Sequence, residues 1–205
     1  MTRAAGTPDT LPACFWAAAV TRAQAVAMRW KHLGIWENIR WSTYAEDARA
    51  VGCALLACGV ARGDRVAVLA DTRPECLYVE FGALGVGALP VSICAGYAAA
   101  GLAHELRDCA ARVLFVENEE QLTKVLAVLD VLPALQKIVY LDGRGLHAFE
   151  HPLVLSFEAF ITTGRQYHAA HPARWETEVA AARPDDVALI VYTAGSTGEI
   201  GRAHV

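Results

Sequence analysis

The stretch from Gly63 to Ile93, GDRVAVLADTRPECLYVEFGALGVGALPVSI, decides the fold class. Gly63-Asp64 turn the chain into RVAVLA (65–70), an almost wholly apolar run, as in a strand covered on both faces. Pro74 then marks the start of a helix through ECLYVEFGALG (75–85), because a proline at the first turn lacks only an N–H that would be unpaired anyway. ALPVSI (88–93) reads as a second buried strand. Strand, helix and strand in so short a span form one crossover unit, which requires parallel strands.

The same alternation continues downstream. A helix near Leu102–Ala110 precedes the strand RVLFVE (112–117), and EEQLTKVLAVLDVL (119–132) reads as a helix ended by Pro133. KIVYLD (137–142) is the next strand, followed after Gly143 by a looser region with one short helix capped by Ser156. Pro184-Asp185-Asp186 then introduce VALIVYT (187–193).

Upstream, Thr10 caps an opening helix, and AVAMRWK (25–31) and WENIRW (36–41) flank Leu33-Gly34-Ile35 as a hairpin. Thr43 and Glu46 have the spacing of a capping box, and Tyr44, Ala48, Val51 and Leu55 recur at helical period toward Cys58. The expected class is therefore α/β: a layered, mostly parallel sheet with flanking helices, with no repeat or linker dividing it.

Composition narrows the function. In 205 residues, 55 % hydrophobic, 18 basic side chains face 22 acidic ones, for a net charge of −4. The cations are scattered, so no nucleic-acid partner is expected, and a small molecule is. Cysteines 14, 53, 58, 76, 94 and 109 show no C-x-x-C pair, which argues for reduced thiols in a cytoplasmic protein rather than a metal site. His168 and His171, just before Pro172, read as a solvated loop. LPACFWAAAV (11–20) has Pro12 inside it and Asp9 before it, unlike a signal peptide. Phe81–Ala103 carries no charge, but its five glycines and Pro90 suit a helix end, a buried strand and a loop better than a membrane span.

The chemistry lies after the last strand. YTAGSTGE (192–199) brings three hydroxyls, Thr193, Ser196 and Thr197, together with Gly195 and Gly198. Backbone N–H groups in such a turn form an anion-binding concavity, and hydroxyls add donors. The plain alternative is a polar surface turn. A Walker-type loop would need Lys after Gly198, and a nucleophile elbow would need a residue between Gly195 and Ser196. The glycines of GALGVG (82–87) are misspaced for a dinucleotide fingerprint.

YTAGSTGE instead resembles the phosphate-loop signature of the adenylate-forming acyl-CoA synthetase superfamily, roughly Tyr-Thr-Ser-Gly-Ser/Thr-Thr-Gly-x-Pro-Lys-Gly. Thr193, Gly195, Ser196, Thr197 and Gly198 match, and Ala194 replaces the usual Ser. GVARGDRVAVLADTRPE (59–75) and PDDVALIVYT (184–193) resemble the family's early strand and its lead into the loop. LGIWENIRWSTYAE (33–46) and ENEEQLTKVLAVLDVLPALQKIVYLD (117–142) look most like bacterial long-chain fatty acid–CoA ligases.

The resemblance implies the N-terminal part of the large domain of an enzyme that uses ATP, Mg²⁺ and CoA to turn a fatty acid into an acyl-adenylate and then an acyl-CoA. It implies that Thr193, Gly195, Ser196, Thr197 and Gly198 hold phosphates. No catalytic or metal-ligating residue is assigned, because the family's other site segments lie beyond this loop, and the chain alone is expected to be inactive. Other acid-activating enzymes of the superfamily, or a non-catalytic nucleotide-binding module, stay open. So do peripheral attachment to a membrane and the oligomeric state.

Residues 1–199 are thus expected to form a partial AMP-binding domain and 200–205 a non-native tail. Glu199-Ile200-Gly201-Arg202 stand where the family has x-Pro-Lys-Gly. Ile200–Val205 also reverse-translates in one frame to ATC GGA AGA GCA CAC GTC, a string of a common sequencing-library adapter. These residues are expected to form an unsupported end.

Overall fold

The computed structural model describes residues 8–194 and 200–204, with side chains described as far as Tyr192. Seven strands form one sheet in the order β7-β6-β5-β3-β4-β8-β9. They are β3 (Arg65–Leu69), β4 (Leu89–Ile93), β5 (Val113–Val116), β6 (Lys137–Tyr140), β7 (Val154–Ser156), β8 (Ile190–Ala194) and β9 (Ile200–His204). Every pairing from β7 to β8 is parallel, and only β9 runs antiparallel, against β8. The α/β, mostly parallel expectation holds.

The apolar strands alternate in where their side chains go. Val66, Val68, Val113, Phe115 and Val139 join the core under helices α1 (Leu11–Thr21), α2 (Trp41–Ala57), α3 (Pro74–Gly85), α6 (Phe157–Ala170) and α7 (Arg174–Ala180). Ala67, Leu69, Leu114, Val116 and Ile138 join the core under α4 (Ala99–Cys109) and α5 (Glu119–Leu126). With both faces covered, polar alternation has no place in these strands.

Several boundaries follow the expected local chemistry. Thr10 Oγ1 accepts from the Ala13 N–H at 3.4 Å, and Ser156 Oγ from the Ala159 N–H at 3.1 Å. Pro74 sits in the first turn of α3. Strands β1 (Val26–His32) and β2 (Ile35–Arg40) form the hairpin, with Leu33 and Gly34 as its two-residue turn. Both turn residues have positive φ, 47° and 84°, as a type I′ turn requires. Leucine is a poor occupant of the first position, since its Cβ crowds the carbonyl oxygen in the left-handed region. Leu33→Asn is expected to stabilise the fold by about 0.5–1 kcal/mol, or about 2 °C in calorimetric midpoint.

Other expectations are corrected. Thr43 and Glu46 do not cap α2, which begins at Trp41 behind Arg40. Its first N–H groups, of Trp41 and Ser42, instead donate to the carbonyls of Ala25 and Ala23 at 3.1 and 3.0 Å, so no side-chain cap is needed. The helix read over 119–132 ends at Leu126, and a 3-10 turn over Leu129–Val131 follows.

The region after Gly143 holds more than one short helix: β7, the fourteen-residue α6, and α7. His168 therefore lies within α6 and His171 caps it, rather than both lying in a loop. Residues 200–204 are not an unsupported end, because they pair with β8 along its length. An open sheet edge offers unpaired N–H and C=O groups that an extended segment can satisfy through backbone alone.

Candidate phosphate-loop site

β8 carries the candidate site. Parallel pairing with β4, Val91 opposite Ile190 and Ser92 opposite Val191, sends both strands toward the same carboxyl edge of the sheet. In open α/β sheets this edge gathers ligands, since loops and helix N-termini converge there. Thr193 is the fourth residue of β8, described by its backbone. Gly195, Ser196, Thr197 and Gly198 lie outside the described residues.

The strand feeding the loop is tied to the neighbouring helix. The Tyr192 hydroxyl donates to Asp108 Oδ2 at 2.6 Å and sits 3.3 Å from the Glu105 carbonyl oxygen, both on α4. This charge-assisted bond holds β8 one residue before Thr193. Sequence reading missed Asp108, whose partner is eighty-four residues away and leaves no local signal.

Beneath it lies Glu105, completely buried, and among the described residues neither of its carboxyl oxygens is at hydrogen-bond geometry with a partner. Burial pushes this carboxyl above its ordinary range, and the nearby Tyr97 hydroxyl and His104 offset that only in part. A carboxyl raised in the folded state favours the protonated form, so stability is lost as pH climbs past the unfolded value. Glu105→Gln is expected to raise the urea midpoint at about pH 8 and to leave it unchanged at about pH 4. An unchanged midpoint at the higher pH would contradict this.

Around the rest of the carboxyl edge, charges are paired. Arg73, after β3, holds Glu75 at 2.8 Å and lies 4.0 Å from Glu117, after β5. The Asp71 N–H donates to Glu117 Oε2 at 2.8 Å, so the loops after β3 and β5 brace each other. Lys124 pairs with Glu120 at 2.8 Å. These guanidinium and ammonium groups pair with carboxylates.

A cleft of about 620 Å³ opens at the opposite edge, lined by Thr10, Arg62, Gly87, Pro184 and Asp186 among others. Arg62 in this lining is engaged by Asp186 at 3.1 Å and Glu178 at 3.7 Å. Among the described residues no group of His, Cys, Asp and Glu could hold a metal ion, and no helix is long and apolar enough to cross a membrane.

Known proteins supply the family. The long-chain-fatty-acid–CoA ligase FadD15 of Mycobacterium bovis is 31 % identical over 165 residues, 80 % of this chain and 26 % of its own. The human long-chain-fatty-acid–CoA ligase ACSBG1 is 26 % identical over 192 residues, 93 % of this chain and 26 % of its own. The chain thus spans about a quarter of the length of the curated relatives it matches.

Among solved structures, the anthranilate CoA ligase AuaEII, in complex with anthranoyl-AMP, superposes with a TM-score of 0.78 at 24 % identity, over 99 % of this chain and 36 % of that one. A fatty acyl CoA synthetase of Mycobacterium tuberculosis superposes at 0.73 and 18 %, over 96 % and 34 %. These two share the fold. The model of the AMP-binding enzyme family matches residues 15–199, nearly the whole chain. This chain belongs to the AMP-binding enzyme family.

Proposed function

We propose that this chain is the N-terminal portion of an ATP-dependent ligase that activates a long-chain fatty acid as an acyl-adenylate and passes the acyl group to the thiol of CoA. The observation that carries the reading is the TAGSTG sequence (193–198), whose first two residues end β8, a strand parallel to β4 and held to α4 by Tyr192, in a chain of the AMP-binding family. A carboxylate is a poor electrophile, and adenylation supplies a leaving group. The need at this loop is to neutralise departing pyrophosphate, which is electrostatic positioning.

Backbone N–H groups at Gly195 and Gly198 and the hydroxyls of Thr193, Ser196 and Thr197 suit that need, with Mg²⁺ sharing the charge. Arg73 and Lys124 already serve carboxylates, which favours these neutral donors. We place the protein in the cytoplasm with peripheral attachment to lipid, where a long acyl chain resides. Glu199-Ile200-Gly201-Arg202 stand, in this reading, where the parent gene encodes x-Pro-Lys-Gly, and sequencing the source gene past Gly198 tests that.

Fatty-acid-dependent ATP–pyrophosphate exchange by the product of the intact gene tests the activity. Exchange with palmitate is expected; exchange only with an aryl acid or an amino acid would overturn the long-chain assignment. Titrating the 205-residue chain with Mg-ATP is expected to give weak or undetectable binding, whereas micromolar affinity would favour a self-standing nucleotide-binding module.

A further inference from the structure

We infer that the tip of the β1–β2 hairpin is a lipid-docking element that seats the protein on an anionic membrane surface. The inference deepens the peripheral attachment proposed above and does not depend on the acyl chemistry.

The hairpin is anchored at its base and bare at its tip. Met28 and Ile39 face each other across the strands and pack on the core. Beyond them, Leu33 is 86 % exposed, Ile35 68 % and Trp36 64 %, one after another around the turn. Folding gives no reason for this arrangement. Leu33 occupies a left-handed position (φ 47°) where Asn, Asp or Gly is the low-strain choice. A large apolar side chain in a strained and solvated position breaks two local preferences at once, which marks a site kept for binding.

The hairpin's charge identifies the partner. Arg29, Lys31 and Arg40 stand against Glu37 alone, a local excess of positive charge in a chain of net −4. Lys31 pairs with Trp36 across the ladder, its ammonium 6.0 Å from the indole centroid. An indole beside a flexible cation matches the boundary between acyl chains and headgroups: the ring sits at the boundary while the ammonium reaches phosphate. A stable protein interface needs roughly 800 Å² from each side. A convex two-residue turn with three apolar side chains is far smaller, but it suits shallow insertion among headgroups.

The test is co-sedimentation of the whole 205-residue chain with vesicles of phosphatidylcholine alone, and of equal parts phosphatidylcholine and phosphatidylglycerol. The expected result is binding to the anionic vesicles at least about tenfold tighter than to the neutral ones, weakened by salt. The double variant Leu33→Asn, Trp36→Ser should lose about tenfold or more while keeping its thermal midpoint, because asparagine relieves the turn. Lys31→Gln should lose about fivefold.

Tight anionic binding that the double variant leaves untouched would overturn the hairpin assignment and leave attachment standing. Absence of binding to either vesicle would overturn both. Concentration-dependent self-association in sedimentation velocity, abolished by the double variant, would replace the lipid with a second copy of this chain.

Discussion

Gly164→Ala is expected to destabilise the protein by about 3 kcal/mol, read as a lowered urea midpoint. Gly164 lies on the face of α6 that crosses α2, and the two helices meet backbone to backbone. A Cβ there would overlap the Ala50 carbonyl oxygen, lie 2.7 Å from its carbon and 3.0 Å from the Ala54 nitrogen. Backbone cannot swing aside as a flexible side chain does, so the helices must separate and Ala50, Ala54 and Phe160 lose packing together. Helix propensity works the other way, returning up to about 1 kcal/mol for Gly→Ala. Gly101→Ala isolates that term: in α4 the nearest atoms to a Cβ belong to Tyr97, at 3.8–3.9 Å, an ordinary contact, so this variant should gain about 0.5–1 kcal/mol. Equal effects at the two glycines would refute the close-approach account.

Trp175→Ala should cost about 4 kcal/mol by removing the largest fully buried side chain. The indole of α7 lies over Gly52 of α2 and Gly85 of α3, where a Cβ at either glycine would overlap its ring, and meets Trp16 of α1 edge-on at 5.8 Å. It joins four helices on one face of the sheet. Its Nε1 has no hydrogen-bond partner among the described residues, so Trp175→Phe deletes an unsatisfied donor and should cost about half as much. The coupling gives a sharper readout. Gly85→Ala should destabilise the protein with Trp175 in place, yet be neutral or stabilising in the Trp175→Ala background, where its methyl enters vacated space. Additive effects would show that the ring and the glycine do not constrain each other.

These contacts explain the uneven reading of the sequence. Val66–Leu69 and Val113–Val116 were legible as strands because covered strands must be apolar on both sides. Pro74, Thr10 and Ser156 were legible because capping and proline geometry act within one turn. The start of α2 was misread because its first N–H groups bond Ala23 and Ala25, reached only once the chain has doubled back through the hairpin. α7 was missed because Arg174–Ala180 is short and shows only Trp175 and Val179 to the core. β7, three residues long, exists only because β6 offers it an edge. The pairing of Tyr192 with Asp108 likewise appears only once β8 lies beside α4.

Taken by itself, the sequence determined the alternation of strands and helices, the parallel sheet they require, and the phosphate-loop signature that marks the family. Each rests on residues near one another in the chain, through turn sterics, hydrophobic period or motif spacing. Only the tertiary structure decided the strand order β7-β6-β5-β3-β4-β8-β9, the small-residue crossing of α2 by α6, the burial of Glu105 and the baring of the hairpin tip. Those depend on which distant surfaces meet, and a distant partner leaves no local period by which to read it.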